Sequence, residues 1–392
     1  MSFAKKAQLA GRIGRIASHV VTERLTRPTP RTLADIPCSP ETITPDWLTR
    51  ALFRDHPGAK VTSIAMGERS DGSTSRQVLL LEYNDAGQAS RMPSTVFCKA
   101  SPYFTSRLVA GLSGALESEA GFYMKLRPHV SMETPVGYYA AADPRSGRSV
   151  FLLEDISKTR GARFGDPTTL EITRPMAEAM VENLARYHGT FWESPLLNRP
   201  WIQTSLQFQE NVDATINFEK RSLIGVERSE DFAPAEFLRR RNEIYPRLMD
   251  SLGLNVAGPH TLLHSDMHLG NWYVNANGQM GLYDWQCMTR GEWALDVSYT
   301  FLSALTVENR RDWEKPLIEQ YLDALRRAGG PKISRADAWL RYRQQTFHAL
   351  IFWLYTIGSG RMQPQMQPAH ISRENVRRMS QAIVDLQSFD AF

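Results

Sequence analysis

Between positions 263 and 285 the chain reads Leu-His-Ser-Asp-Met-His-Leu-Gly-Asn-Trp-Tyr-Val-Asn-Ala-Asn-Gly-Gln-Met-Gly-Leu-Tyr-Asp-Trp, and this segment concentrates the side chains able to do chemistry. Asn277-Gly278 is a strong two-residue hairpin signal, because both residues tolerate the positive φ of a type I′ turn. A two-residue loop there sets Val274 opposite Gly281, Tyr273 opposite Leu282 and Asn271 opposite Asp284. Directly opposed residues hold their Cβ atoms about 4.5–5.5 Å apart. The spacing therefore predicts an amide oxygen beside a carboxylate at the open end of a hairpin, with Asp266 on the loop leading in. Such oxygen ligands suit a hard cation, and Mg²⁺ takes a few of them together with substrate phosphates. His264, Asp266 and His268 also spell a transition-metal cluster, although the amide–carboxylate pair is better matched to Mg²⁺. A plain surface hairpin with polar ends is the bland alternative.

The elements that must position this segment fall into two groups. Val61–Gly67, Gln77–Tyr83, Thr95–Ala100, Val136–Ala140 and Ser149–Leu153 read as short strands, with Asn84–Gly87 and Asp143–Gly147 as turns. One helical stretch, Arg107–Leu126, interrupts them. The pattern predicts a five-stranded, largely antiparallel sheet with one inserted helix. Beyond Asp155 the chain is mostly helical, most strongly over Pro175–Trp192, Pro234–Leu252, Glu308–Ala328, Arg335–Ile357 and Ser372–Leu386. Three regions result: a basic N-terminal helix with a proline-marked linker (1–40), a small β-rich lobe (41–155) and a larger α-rich lobe (156–392).

Composition narrows the function classes. The 392 residues are 42% apolar, enough for two or three folding units. Cys38, Cys98 and Cys287 form no C-x-x-C pair, which argues against a disulfide framework or zinc knuckle and for a reducing compartment; the expected location is cytoplasmic. The apolar run Ala349–Tyr355 falls short of the ~20 residues a spanning helix needs. No apolar signal region follows the first lysines. Of the net charge of +4, residues 1–31 carry +6 and the remainder −2, so a nucleic-acid-binding body is not expected. Leu9, Ile13, Ile16 and Val20 lie at helical spacing among basic residues. That pattern predicts a packing helix, with weak contact to a membrane surface or an Arg-rich organelle presequence as the alternatives.

His264-x-Asp266-x-x-x-x-Asn271 followed by Asp284 resembles the catalytic loop and metal-binding aspartate of the protein-kinase-like superfamily. His264–Asn271 and Asp284-Trp-Gln286 resemble more closely the aminoglycoside phosphotransferase/choline kinase-like enzymes, with the ecdysteroid-kinase-like branch nearest. Leu184–Trp192 looks like the helix that precedes the catalytic loop in that family. The resemblance implies an α+β, two-lobe protein-kinase-like fold with ATP and Mg²⁺ as cofactors. It implies Asp266 as the residue that accepts or orients the substrate hydroxyl proton, and Asn271 and Asp284 as metal ligands. It also implies that Lys99 on the third strand reaches the phosphates and is held by Glu119, with Glu117 as a fallback. Gly72, Ser73, Thr74 and Ser75 would contact phosphate, although their loop departs from the protein-kinase G-x-G-x-x-G pattern. Leu152–Asp155 would be the hinge, whose backbone amide and carbonyl read the adenine edge, around Glu154 and Ile156. His264 and His268 would support the loop, and Asp296 resembles a family aspartate that anchors it.

Charge guides the choice of acceptor. Residues 331–392 hold eight Lys/Arg against four acids, whereas a polycationic aminoglycoside favours an acidic pocket and choline an aromatic cage. Phe347, Phe352, Trp353 and Tyr355 could line an apolar wall. The expected activity is therefore transfer of the ATP γ-phosphate to a hydroxyl of a neutral or anionic, largely apolar small molecule. The competing readings are a catalytically inactive kinase-like binding protein, a kinase for a cationic substrate, and a metal-dependent hydrolase built on His264, Asp266 and His268.

Overall fold

The computed structural model describes residues 3–71, 74–360 and 366–392, and the chain divides into two compact units. The first comprises residues 1–128 and 135–162, and the second 129–134 and 163–392.

In the first unit, α1 (Phe3–Thr26) and α2 (Pro45–Leu52) precede β1 (Val61–Asp71), β2 (Ser75–Tyr83), α3 (Asp85–Ala89) and β3 (Thr95–Ala100). Next come α4 (Phe104–Ser113), α5 (Ala115–Gly121), β4 (Gly137–Asp143), β5 (Arg148–Glu154) and α6 (Ile156–Thr159). The strands form one antiparallel sheet in the order β1-β2-β3-β5-β4. Burial alternates along β2, with Leu79, Leu81 and Tyr83 inward and Leu80 and Glu82 exposed, as period-two geometry requires. One face packs Leu79, Leu81, Val96, Cys98, Val150 and Leu152 against Trp47, Leu48 and Leu52 of α2. The proline-marked linker belongs to this core: Ile36 and Ile43 are buried in it, and the Trp47 indole donates to the Thr32 carbonyl at 3.0 Å.

Two expectations fail here for local reasons. Asn84–Gly87 is not a plain turn, because the Asn84 side chain accepts from the Gly87 amide and starts α3. The helix expected over 107–126 breaks at Gly114, whose φ of +78° no continuous helix allows, and α5 ends in a wide π-type turn over Phe122–Leu126.

The second unit contains β6 (Arg163–Phe164), α7 (Arg174–Thr190), α8 (Ser205–Ile216), α9 (Phe218–Glu227), α10 (Ala235–Arg239) and α11 (Ile244–Ala257). It continues with β7 (Thr261–Leu263), β8 (Trp272–Val274), β9 (Met280–Leu282), β10 (Thr289–Gly291), α12 (Ala294–Ala304), α13 (Val307–Arg327), α14 (Arg335–Gln344), α15 (Thr346–Ile357) and α16 (Ala369–Asp385). The expected helix over 335–357 is two helices divided at Gln345, and the one over 234–252 is broken into α10, a tight 3₁₀ turn and α11. Every residue of α12 is buried, so this helix forms the axis of the unit. Among the described residues no helix is long and apolar enough to cross a membrane.

The β8–β9 hairpin differs from the expected register by one residue. Val274 pairs with Met280, Tyr273 with Gly281 and Trp272 with Leu282. The Asn275 amide donates to the Gln279 carbonyl and the Gly278 amide to the Asn275 carbonyl, both at 3.0 Å, while Gly278 takes φ +77°. This is a three-residue loop, a type I turn followed by a left-handed glycine. Asn275 selects it, because its side-chain oxygen accepts from the amides of Asn277 and Gln279, an alternative closure that the Asn-Gly pair alone does not reveal. Asn271 is consequently level with Tyr283, whose amide donates to the Asn271 carbonyl at 3.1 Å, rather than with Asp284.

At the start of α12, Glu292 is buried, 3.5 Å from Arg341, and accepts from the Ala294 amide. Burial outweighs the Arg341 charge and pushes its carboxyl up to about 7. The folded state then holds a proton that the unfolded chain releases, so this group's stabilising contribution falls as pH rises from about 4.5 to about 7. Glu292→Gln is expected to flatten that slope in thermal unfolding and to stabilise the protein above neutrality by about 1–3 kcal/mol. An unchanged pH profile would rule out this assignment.

Candidate active site

The loop between β7 and β8 is built around Asp296. This carboxylate, fully buried on α12, accepts from the amides of His264 (2.7 Å) and Ser265 (2.9 Å) and from the Tyr187 hydroxyl (2.6 Å). His188 Nε2 lies 3.4 Å away. Burial acts to raise its pKa, but His188 and the Tyr187 hydroxyl overcome it and hold the carboxyl below its ordinary range. Two amides bound to one carboxylate fix the chain direction at the loop's entrance. Ser265, at φ +67°, makes the turn that follows, and its carbonyl accepts from His348 Nε2 of α15 at 2.8 Å.

His264 is fully buried, and burial lowers its pKa. The neutral ring bridges the loop and the hairpin: Nε2 lies 2.9 Å from the Tyr283 carbonyl, and Nδ1 accepts from the Asp266 amide at 3.3 Å. That assignment makes Nε2 the protonated nitrogen. The His264 nitrogens are thus committed to backbone groups, and among the described residues no set of three or more His, Cys, Asp and Glu side chains converges on a metal position. A cluster of His264, Asp266 and His268 around a transition metal does not form.

Asp266 is about one-quarter exposed. Its Oδ2 accepts from Asn271 Nδ2 at 3.1 Å, and its Oδ1 from the Tyr299 hydroxyl at 3.2 Å. Asn271 Nδ2 also donates to the Asp266 carbonyl at 2.8 Å. The Asn271 amide group is thereby oriented, and its Oδ1 has no donor among the described residues. An oriented carbonyl oxygen of this kind fits a hard cation. Asp284, directly after the residue level with Asn271, takes φ +64° and ψ +63°, which ends the strand and redirects its side chain. Asp266 and Asp284 both act electrostatically on His264. His268 packs edge-on against Trp353 at 5.5 Å, with Nε2 3.7 Å from Asp266 Oδ2, too long for a hydrogen bond.

Tyr299 and Trp353 carry no signal in the catalytic segment itself. The Trp353 indole donates to the Tyr299 hydroxyl at 3.0 Å, which in turn donates to Asp266. Tyr299 lies one helical turn beyond Asp296, so an inward-facing i, i+3 pair on α12 was the available clue.

In the first unit, Lys99 Nζ lies 3.0 and 2.8 Å from the two carboxylate oxygens of Glu119 on α5. Both residues are buried, and β3 is an interior strand, so Lys99 is no solvated edge lysine. Glu117, the alternative partner, is half-buried instead, and burial raises its pKa. The Thr74 and Ser75 hydroxyls are buried and have no hydrogen-bond partner among the described residues, a property that fits donors awaiting a phosphate. Gly72 and Ser73 lie outside the described residues. At the end of β5 the Glu154 carboxylate is taken by Arg160 (2.5 Å) and by the Val136 amide (3.0 Å). The Glu154 amide donates to the Val136 carbonyl at 2.8 Å, so neither group is available for an adenine edge. Ile156 begins α6, and its amide has no acceptor within that helix.

A family model described as the phosphotransferase enzyme family matches residues 94–343. No curated protein matches the chain. Among solved structures the fold is shared with a microcompartment-associated aminopropanol kinase at 12% identity and a TM-score of 0.50, covering 87% of this chain and 96% of that one. A choline kinase from Streptococcus pneumoniae aligns at 15% identity and a TM-score of 0.46, covering 86% and 98% of the two chains. An amicoumacin kinase in complex with AMP-PNP and Ca²⁺ aligns at 14% and 0.45, covering 82% and 88%. The family match spans both the Lys99 strand and the whole Asp266–Asp296 network without singling out the ecdysteroid-kinase-like branch. The chain belongs to the phosphotransferase enzyme family.

Proposed function

We propose that this phosphotransferase uses Mg²⁺-ATP to phosphorylate a hydroxyl of a neutral or anionic, largely apolar small molecule. The observation that carries the reading is the Asp266–Asn271 pair, in which one amide group orients the carboxylate while its own oxygen has no donor among the described residues. In-line phosphoryl transfer needs a positioned nucleophile and neutralised phosphate charge more than covalent help from the protein. Asp266 takes up the acceptor's hydroxyl proton, while Asn271 and Asp284 hold the metal and Lys99, fixed by Glu119, binds phosphate. The metal, when bound, supplies charge neutralisation on the phosphates. The Ile156 amide, rather than the amide or carboxylate of Glu154, serves the adenine edge.

The acceptor class rests on what flanks Asp266. His268 and Trp353 stand beside it, and Phe218 packs edge-on against Phe352 and Tyr355 of the same helix as Trp353. The nearby cations Arg221 and Arg228 bind the carbonyls of Gly358, Ile357 and Ser359, so this end of α15 carries positive charge. Such surroundings disfavour a polycation.

The deciding experiment screens alcohols for ATP consumption while Mg²⁺-ATP binding is measured by calorimetry. Binding without turnover on any alcohol would favour the inactive kinase-like alternative, and turnover only on amines or aminoglycosides would refute the acceptor class. Asp284→Asn is expected to weaken Mg²⁺-dependent ATP binding about tenfold or more, because a formal charge on the metal is lost. Tyr299→Phe should lower turnover about tenfold with ATP affinity unchanged, the size expected for one hydrogen bond to a charged group. Loss of ATP affinity in the tyrosine variant would contradict its place beside the base.

A further inference from the structure

Over its described residues the outer face of α1 is exposed. Ile16, Val20 and Glu23 form its inner stripe and are buried. Glu23 is held by Arg107 at 2.6 Å and by Arg148 at 2.8 Å, which neutralises the one acid in the first 31 residues. The opposite stripe runs through Gly14, Ser18, Val21 and Leu25, all exposed. Val21 is 57% and Leu25 80% exposed, one turn apart on the same stripe. The exposed charges at this helix and its end, Arg15, Arg24 and Arg27, are all basic.

A second basic feature lies on the flank of α1 turned toward the rest of the unit, about a third to half of a helical turn round from Val21 and Leu25. Between α1 and the β4–β5 turn lies a recess of about 460 Å³ lined by Gly11, Arg12, Arg15, Pro144 and Arg145. Guanidinium groups around one recess match phosphate oxygens in geometry and charge. A helix whose only role is to cap the sheet needs a polar outer face, whereas this one presents an apolar pair bordered by arginines.

We propose that the outer face of α1 docks on an anionic phospholipid surface. Val21 and Leu25 enter the boundary between headgroups and acyl chains, and Arg15 and Arg24, which border that stripe on either side, engage lipid phosphates. The docking is independent of the acceptor and of the catalytic roles assigned above.

The test is sedimentation of the full-length protein with vesicles of phosphatidylcholine alone or with about one-third phosphatidylserine. Binding is expected on the anionic vesicles, with release at about 0.5 M salt as screening shortens the range of attraction. Val21→Asp/Leu25→Asp and Arg15→Glu/Arg24→Glu should each reduce binding about tenfold or more. All four positions are exposed, so an unchanged melting temperature is expected to accompany the loss. Absence of binding to anionic vesicles, equal binding to neutral ones, or full binding by both double variants would overturn the proposal. So would displacement by inorganic phosphate at matched ionic strength, which assigns the recess to a soluble anion. A wild-type dimer that Val21→Asp/Leu25→Asp makes monomeric, with no vesicle binding, would show that a second copy covers the face.

Discussion

Asp266→Asn is expected to lower turnover by about 10²–10⁴-fold, the range of general acid–base effects, while ATP affinity stays within about twofold. The substitution is nearly isosteric, and its side-chain oxygen can still accept from Tyr299 Oη, now 3.2 Å from Oδ1. Asn271 retains its second bond, to the residue 266 carbonyl at 2.8 Å, so its side-chain oxygen keeps its orientation. What disappears is the negative charge and the lone pair able to take a proton from a hydroxyl. Steady-state rates and calorimetric ATP binding on the same preparation separate these effects. A variant that loses ATP affinity in proportion to turnover would place Asp266 on the metal instead.

The second large effect concerns stability. Asp296→Ala removes the acceptor shared by two backbone amides and the Tyr187 hydroxyl, all in a fully buried position. Each donor is left without a partner, and removing one member of a buried charged network costs about 3–5 kcal/mol. Because hydrogen bonds hold this carboxyl below its ordinary range, its contribution is fully present above the unfolded pKa of about 3.9 and is lost as pH falls through the lower folded value. Denaturant unfolding at neutral pH should therefore show the full loss, with the gap between wild type and variant closing only in strong acid. A loss below about 1 kcal/mol would mean that water or Ser265 rearrangement satisfies the amides.

Much of this arrangement was legible because it is local in sequence. The limits of the strand carrying Lys99 are legible from its residues, whereas the pairing of Lys99 with Glu119 that forms is implied by the family resemblance and not by spacing. The His264–Asn271 spacing located the loop that the hydrogen bonds close. The hairpin register was misread because Asn275 competes for the loop with Asn277-Gly278, and a side-chain acceptor two and four residues from its donors leaves no periodic trace. The hinge reading of Leu152–Asp155 does not reveal that the Glu154 amide goes to Val136 and its carboxylate to Arg160 six residues on. The supports of Asp266 and Ser265 were invisible for another reason. Tyr299, His348 and Trp353 reach them from helices 33 to 87 residues away, and inside apolar helical runs they read as ordinary core.

The left-handed backbone at Asp284 also filters the routes by which this chain could drift into an inactive scaffold. Asn and Gly enter that conformation at little cost, whereas a β-branched residue would strain it by about 1–3 kcal/mol and disturb the Tyr283 amide bond beside it. Neutral replacement is therefore open mainly through Asn or Gly, each of which cancels the charge while preserving the hairpin. A descendant that had lost catalysis would betray itself by a single small residue in an otherwise intact loop, still folded and still able to hold a nucleotide weakly.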